Sequence, residues 1–177
     1  DYPSKLIDWP AIFTLANQQK LLPLLFEAVR KTPVAEENAA LFSVTKQQVI
    51  GQVLNQTVRS AEFADLYRKL RTAGLHPIVV KGQLCSRLYP LKDHRISADD
   101  DLYIPNTEFM ACHEQLLANG LTTDTPADEL LTADEVSYTK KDSPLYIELH
   151  RHLFDSSEDA HDELNHFFAN LKPVEID

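Results

Sequence analysis

Three consecutive acids, Asp99, Asp100 and Asp101, run directly into the apolar triplet Leu102-Tyr103-Ile104. Side chains alternate between faces along a strand, so a strand over residues 99–104 sends the Asp99 and Asp101 carboxylates to one face and Asp100 to the other. Two like charges held that close repel each other unless something neutralises them. Oxygen ligands in an Asp-x-Asp pattern suit a hard divalent cation, Mg²⁺ or Mn²⁺. The competing reading is a solvated acidic face at a strand entrance.

Glu148 is the next candidate. In Leu145-Tyr146-Ile147-Glu148-Leu149-His150 the apolar residues alternate with the others. One face of that strand is therefore apolar, and Glu148 and His150 share the opposite face. Beside the Asp99 strand, Glu148 would be a third carboxylate. Three carboxylates can hold two Mg²⁺ ions, and Glu148 could instead take a proton from an attacking hydroxyl. A half-exposed sheet edge is the plain alternative. Lys81-Gly82 ends one apolar run and precedes a short helical pattern. Glycine lets backbone approach a phosphate, and lysine adds a point charge. Arg95 stands four residues before Asp99, where it could neutralise the acids, contact a phosphate or form a structural ion pair. His150 could touch a base or ribose, or orient Glu148. His150 and His152 would share a face if the strand continues, but a zinc site needs a further ligand that the spacing does not identify. No Gly-x-Ser-x-Gly elbow is present, and Cys85 carries no nucleophile signature.

The elements that must position these residues follow from periodicity. Residues 1–43 read as short helices, the first opened by Asp8 with Pro10 in its first turn and Ile12, Leu15 and Ala16 on one face. A second apolar helix runs from Leu21 through Val29, and a third spans 35–43. Residues 45–72 read as one long helix with Ile50, Leu54, Val58 and Ala61, then Phe63, Leu66, Tyr67 and Leu70, as its stripe, stopped by Gly74. The pattern then switches. Residues 76–80 read as a buried strand, 83–88 as a short helix with Leu84, Cys85 and Leu88 inward, 105–118 as a helix, and 121–125 as a strand. Residues 135–140 and 145–150 form a hairpin, and 160–171 a last amphipathic helix with Leu164, Phe167, Phe168 and Leu171. The expected fold is α+β, a small mixed β-sheet flanked by helices. Residues 1–74 form an N-terminal helical module packed on a core of residues 75–177.

Bulk properties narrow the function. The formal charge of −10 repels a phosphate backbone, so nucleic acid is an unlikely partner. With four glycines there is no glycine-rich phosphate loop. No run is apolar and long enough to span a membrane, and the first residues lack a basic region followed by an apolar core. Cys85 and Cys112 read as buried free thiols, which suits the cytoplasm. Nothing in the sequence addresses oligomeric state.

Ile78-Val79-Val80-Lys81-Gly82, Leu88-Tyr89, Arg95 through Asp99-Asp100-Asp101-Leu102, and Ile147-Glu148-Leu149-His150, in this order, resemble the uncharacterised nucleotidyltransferase family of the DNA polymerase β-like superfamily. The resemblance implies transfer of a nucleoside monophosphate from a nucleoside triphosphate such as ATP to an unidentified acceptor hydroxyl. It implies Mg²⁺ or Mn²⁺ held by Asp99, Asp101 and Glu148, with Lys81, Gly82, Arg95 and His150 around the nucleotide. Members are generally longer beyond the third acid, so a C-terminal part is expected to be missing. Two departures stand out. The turn is Lys81-Gly82-Gln83 rather than Gly-Ser, and an acid, Asp100, separates the aspartates. A buried carboxylate there must find a cation, a proton or solvent. These departures keep one rival open, a catalytically inactive nucleotide- or partner-binding domain on the same fold; a further rival is an acidic helical interaction module whose carboxylates are surface features.

Overall fold

The computed structural model describes residues 7–154, 161–169 and 174. Among them the order is α1 (Trp9–Gln18), α2 (Leu22–Val29), α3 (Pro33–Glu37), α4 (Ala39–Thr72), β1 (Ile78–Val79), α5 (Gln83–Ser86), a 3₁₀ turn (Lys92–His94), β2 (Asp100–Tyr103), α6 (Asn106–Ala118), β3 (Leu121–Thr122), β4 (Glu135–Lys140), β5 (Tyr146–His150) and α7 (His161–Ala169). The chain divides into two compact units. One gathers Asp1–Ser60 with Cys85–Ser97, and the other Ala61–Leu84 with Ala98–Asp177.

In the first unit Asp8 caps α1, accepting from the Ala11 amide at 3.1 Å, with Pro10 in the first turn as the sequence implies. The buried face of α1 differs from the expected one. Phe13 and Ala16 are buried and Leu15 is exposed, because the Phe13 ring packs edge-on against Phe42 at 5.3 Å. Leu22, Phe26 and Val49 complete this core. The long helix starts at Ala39, earlier than expected. Ile50, Leu54 and Val58 on its expected stripe are exposed, and Ile50 and Leu54 line a shallow cavity of about 330 Å³. The buried positions here are Thr45, Val49, Gln56 and Arg59. Gln56 and Arg59 among them serve an irregular segment: Gln56 Oε1 accepts from the Ser97 amide at 3.0 Å, and Arg59 donates to the Ser97 carbonyl at 3.2 Å. Leu88, expected inward, is also exposed, since α5 ends at Ser86.

The second unit holds the mixed sheet, in the order β1-β2-β5-β4-β3, with β2 parallel to β5 and the other neighbours antiparallel. Here the helical stripe is as read: Phe63, Leu66 and Leu70 are buried. They join Leu102, Ile104, Phe109, Leu116, Val136, Tyr138, Ile147 and Leu149 in one core. Gly74, at φ +83°, ends α4 in the left-handed conformation that favours glycine, and the Leu75 amide closes back on the Leu70 carbonyl at 3.1 Å. Arg151 donates to the Leu130 and Leu131 carbonyls, and its guanidinium lies 4.2 Å from the Phe109 ring centre. It thereby pins the irregular stretch before β4. Of the last helix, His161–Ala169 is described, with Phe167 exposed; Ala160 and Leu171 lie outside the described residues.

Candidate active site

The register of β2 against β5 decides which side chains meet. Asp101 stands opposite Glu148 and Tyr103 opposite His150, while Leu102 stands opposite Leu149. Residues opposite one another in a sheet share a face. Leu102, Ile147 and Leu149 are fully buried in the core, so apolar burial alone forces Asp101, Glu148 and His150 to the other face. Neighbouring strands lie about 4.8 Å apart, close enough for two carboxylates to share a partner. On the far side of β5, Ser137 stands opposite Glu148 and Glu135 opposite His150. Lys81 arrives from β1, whose extension is fixed by the Val80 amide donating to the Asp101 carbonyl at 3.1 Å.

Asp101 is the most enclosed group of this cluster, 1% exposed. Its Oδ1 accepts from Lys81 Nζ at 2.9 Å and from His150 Nε2 at 3.1 Å. Its Oδ2 is buried and has no hydrogen-bond partner. Burial pushes this carboxyl up, but the bonds from His150 and Lys81 outweigh burial and hold it at about 2. Glu148 is pushed the other way, by burial and then by the negative charges of Glu135, Asp99 and Asp101. His150 is wedged among them, with Nδ1 3.5 Å from Glu135 and Nε2 4.0 Å from Glu148. The hydrogen bond to Asp101 raises the Lys81 pKa, and Asp99 and Glu148 add to this by charge alone. One donor atom each from Asp101, Glu148 and His150 lie within 4.8 Å of one another.

The other candidate residues sit differently. The strand begins at Asp100, so Asp99 precedes it. Its half-buried side chain is outside the close trio but near enough for its charge to act on Glu148 and Lys81. Asp100 is fully buried on the opposite face and accepts from the Gln83 side-chain amide at 3.0 Å. Gln83, in the turn after β1, thus supplies the partner of this buried acid. Arg95 follows the 3₁₀ turn in the first unit.

Gly82 has φ +49°, and a Cβ there would meet Asp100 Oδ1 at 3.0 Å and the Asp99 carbonyl at 3.3 Å. The glycine lets β1's exit press against the start of the acidic strand. Gly82→Ala combines left-handed strain with a clash against buried neighbours. It is expected to lower stability by about 1–3 kcal/mol in chemical denaturation. Sequence reasoning missed Glu135 and Gln83. Glu135 was legible in principle, because Glu135, Ser137 and Thr139 alternate with the buried Val136 and Tyr138. Gln83 carried no local signal.

Comparison with known families returns a model described as "Uncharacterised nucleotidyltransferase", matching residues 5–177. No curated protein and no solved structure matches the chain.

Proposed function

The chain belongs to the uncharacterised nucleotidyltransferase family, and on that premise we propose that it moves a nucleoside monophosphate from a nucleoside triphosphate to an acceptor hydroxyl. The DNA polymerase β-like superfamily is consistent with that membership. The observation that carries the reading is the pairing of Asp101 with Glu148 on the polar face of the parallel β2–β5 ladder.

The donor set suits a divalent cation. A carboxylate oxygen of Asp101 is buried without a partner, and burial, followed by the negative charges of Glu135, Asp99 and Asp101, raises the Glu148 pKa. Asp101 and Glu148, with Asp99 beside them, would hold Mg²⁺ or Mn²⁺, both of which prefer oxygen ligands. When bound, such an ion neutralises triphosphate charge and polarises the phosphate under attack. The remaining work falls to the chain. His150 fixes the Asp101 carboxylate by its hydrogen bond and so acts as a positioning residue. Lys81, 63% exposed beyond its contact with Asp101, offers charge to the triphosphate. Glu148, whose proton affinity is raised, takes the proton of the acceptor hydroxyl as its oxygen bonds to the α-phosphorus. The bond from the α-phosphorus to the bridging oxygen breaks, and pyrophosphate leaves. Gly82 lets the turn press against the acidic strand, and its backbone would steady the triphosphate beside Lys81.

The substrates on this reading are a nucleoside triphosphate, ATP among them, and a small-molecule, sugar or protein hydroxyl. The net charge of −10 disfavours nucleic acid. No helix of the described residues is long and apolar enough to cross a membrane. Cys85 and Cys112 are free, with burial pushing the Cys112 thiol up to about 12, which fits a reducing compartment such as the cytoplasm. One observation favours a second reading, a nucleotide-binding domain without turnover: Lys81 already pairs with Asp101, and His150 is hydrogen-bonded to it. Each nucleoside triphosphate, labelled at the α-phosphate, is to be incubated with the protein, Mg²⁺ or Mn²⁺ and pooled cellular acceptors. Metal-dependent pyrophosphate release with label transfer is the expected result. Nucleotide binding without release across all pools would select the second reading.

A further inference from the structure

Asp134, His152 and His161 form a second group of donors, separate from the nucleotide cluster. One ligand atom from each lies within 4.8 Å of the other two. They come from three stretches of the second unit: the residue before β4, the second residue after β5, and the opening of α7. His152 Nδ1 and Asp134 Oδ1 are hydrogen-bonded at 2.6 Å. Two backbone bonds fix Asp134 from the other side, with the Arg151 and His152 amides donating to its carbonyl at 2.8 and 3.3 Å.

His161 supplies the decisive feature. Its side chain is 20% exposed, and its Nε2 is buried with no hydrogen-bond partner. Its Nδ1 lies 3.0 Å from the exposed carboxylate of Asp162. A carboxylate accepts, so Nδ1 carries a proton, and in the neutral ring Nε2 then keeps a lone pair. A carboxylate hydrogen-bonded to one ring nitrogen holds the ring so that the other, buried nitrogen can face a metal. The ring stands edge-on to His152 with centroids 5.8 Å apart.

We propose that Asp134, His152 and His161 bind a transition-metal dication of the zinc class. Two imidazoles and one carboxylate suit Zn²⁺, whereas Mg²⁺ prefers an all-oxygen shell. On binding, the ion takes the place of the hydrogen bond between Asp134 and His152: Asp134 binds as a carboxylate, and His152 as a neutral imidazole whose one proton sits on the ring nitrogen turned away from the metal. Three protein ligands leave a coordination position open. The mechanical effect is to fasten the start of α7 to the base of the β4–β5 hairpin. This site goes beyond the nucleotide reading and stands without it.

The test uses Asp101→Asn as background, so that Zn²⁺ at the nucleotide cluster does not contribute. In that protein, Zn²⁺ well above its dissociation constant is expected to raise the melting temperature by roughly 5 °C or more, and Mg²⁺ is not. Co²⁺ is expected to give visible ligand-field absorption at one equivalent. His161→Ala and Asp134→Asn are then added separately, and each is checked for folding by its metal-free melt. Loss of the Zn²⁺ shift and the Co²⁺ bands in a variant that still melts cooperatively supports the site. Their persistence in both variants, or no Zn²⁺ shift in the Asp101→Asn protein, overturns it.

Discussion

Asp101→Asn is expected to lower nucleotidyl transfer on the order of 10²–10³-fold, the scale lost when one preorganised electrostatic contact at a reacting centre is removed. Asparagine keeps the shape of the side chain and an oxygen for Lys81, so the loss reports charge rather than packing. The same change has a pH signature in the metal-free protein. The Asp101 carboxyl is held below its ordinary value of 3.8, at about 2. A depressed carboxyl stabilises the fold above its unfolded pKa and ceases to do so as pH falls through its folded one. Asp101 therefore contributes at most roughly 2 kcal/mol, present above about pH 4 and lost toward pH 2. Wild type and Asp101→Asn should differ most in urea stability at neutral pH, and their curves should converge as acid is added. A variant as active as wild type would contradict the assigned role.

Glu148→Gln is expected to act in opposite directions on stability and function. Burial, followed by the charges of Glu135, Asp99 and Asp101, raises the Glu148 pKa. A raised carboxyl favours the fold only while protonated, and that contribution disappears as pH rises through the folded pKa. At neutral pH the Glu148 charge thus works against the metal-free fold. Glutamine removes it, so the metal-free melting temperature should rise. Transfer should fall about a hundredfold or more, because proton acceptance and ion binding both go. Such exchange of stability for function is what a site assembled from like charges implies. A fall in both melting temperature and activity would instead make Glu148 an ordinary structural acid.

The site was legible where burial and alternation agree. Leu145, Ile147 and Leu149 had to face the core, which left Glu148 and His150 on the other face before any pairing was known. The neighbour of β5 was not legible, since sheet order depends on contacts between residues 49 positions apart, such as His150 with Asp101. The partner of Asp100 was equally hidden: Gln83 reaches it across a turn that only Gly82 permits. The long helix misled for a related reason. Periodicity correctly marked Phe63, Leu66 and Leu70, but earlier in α4 the buried face is carried by Gln56 and Arg59, which bond to the irregular chain at Ser97. A hydrophobic stripe cannot reveal a polar face buried for hydrogen bonding. The neighbours of His152 were hidden in the same way, because Asp134 precedes β4 and His161 opens α7, and only the fold brings the three together.

Crystals grown with Mn²⁺ and a non-hydrolysable nucleoside triphosphate offer the most direct measurement, through the anomalous scattering of the metal. An anomalous peak within about 2.5 Å of carboxylate oxygens from both Asp101 and Glu148, with triphosphate oxygens completing its shell, is the predicted result. Triphosphate bound elsewhere, with no peak between those two side chains, would contradict the account at its centre.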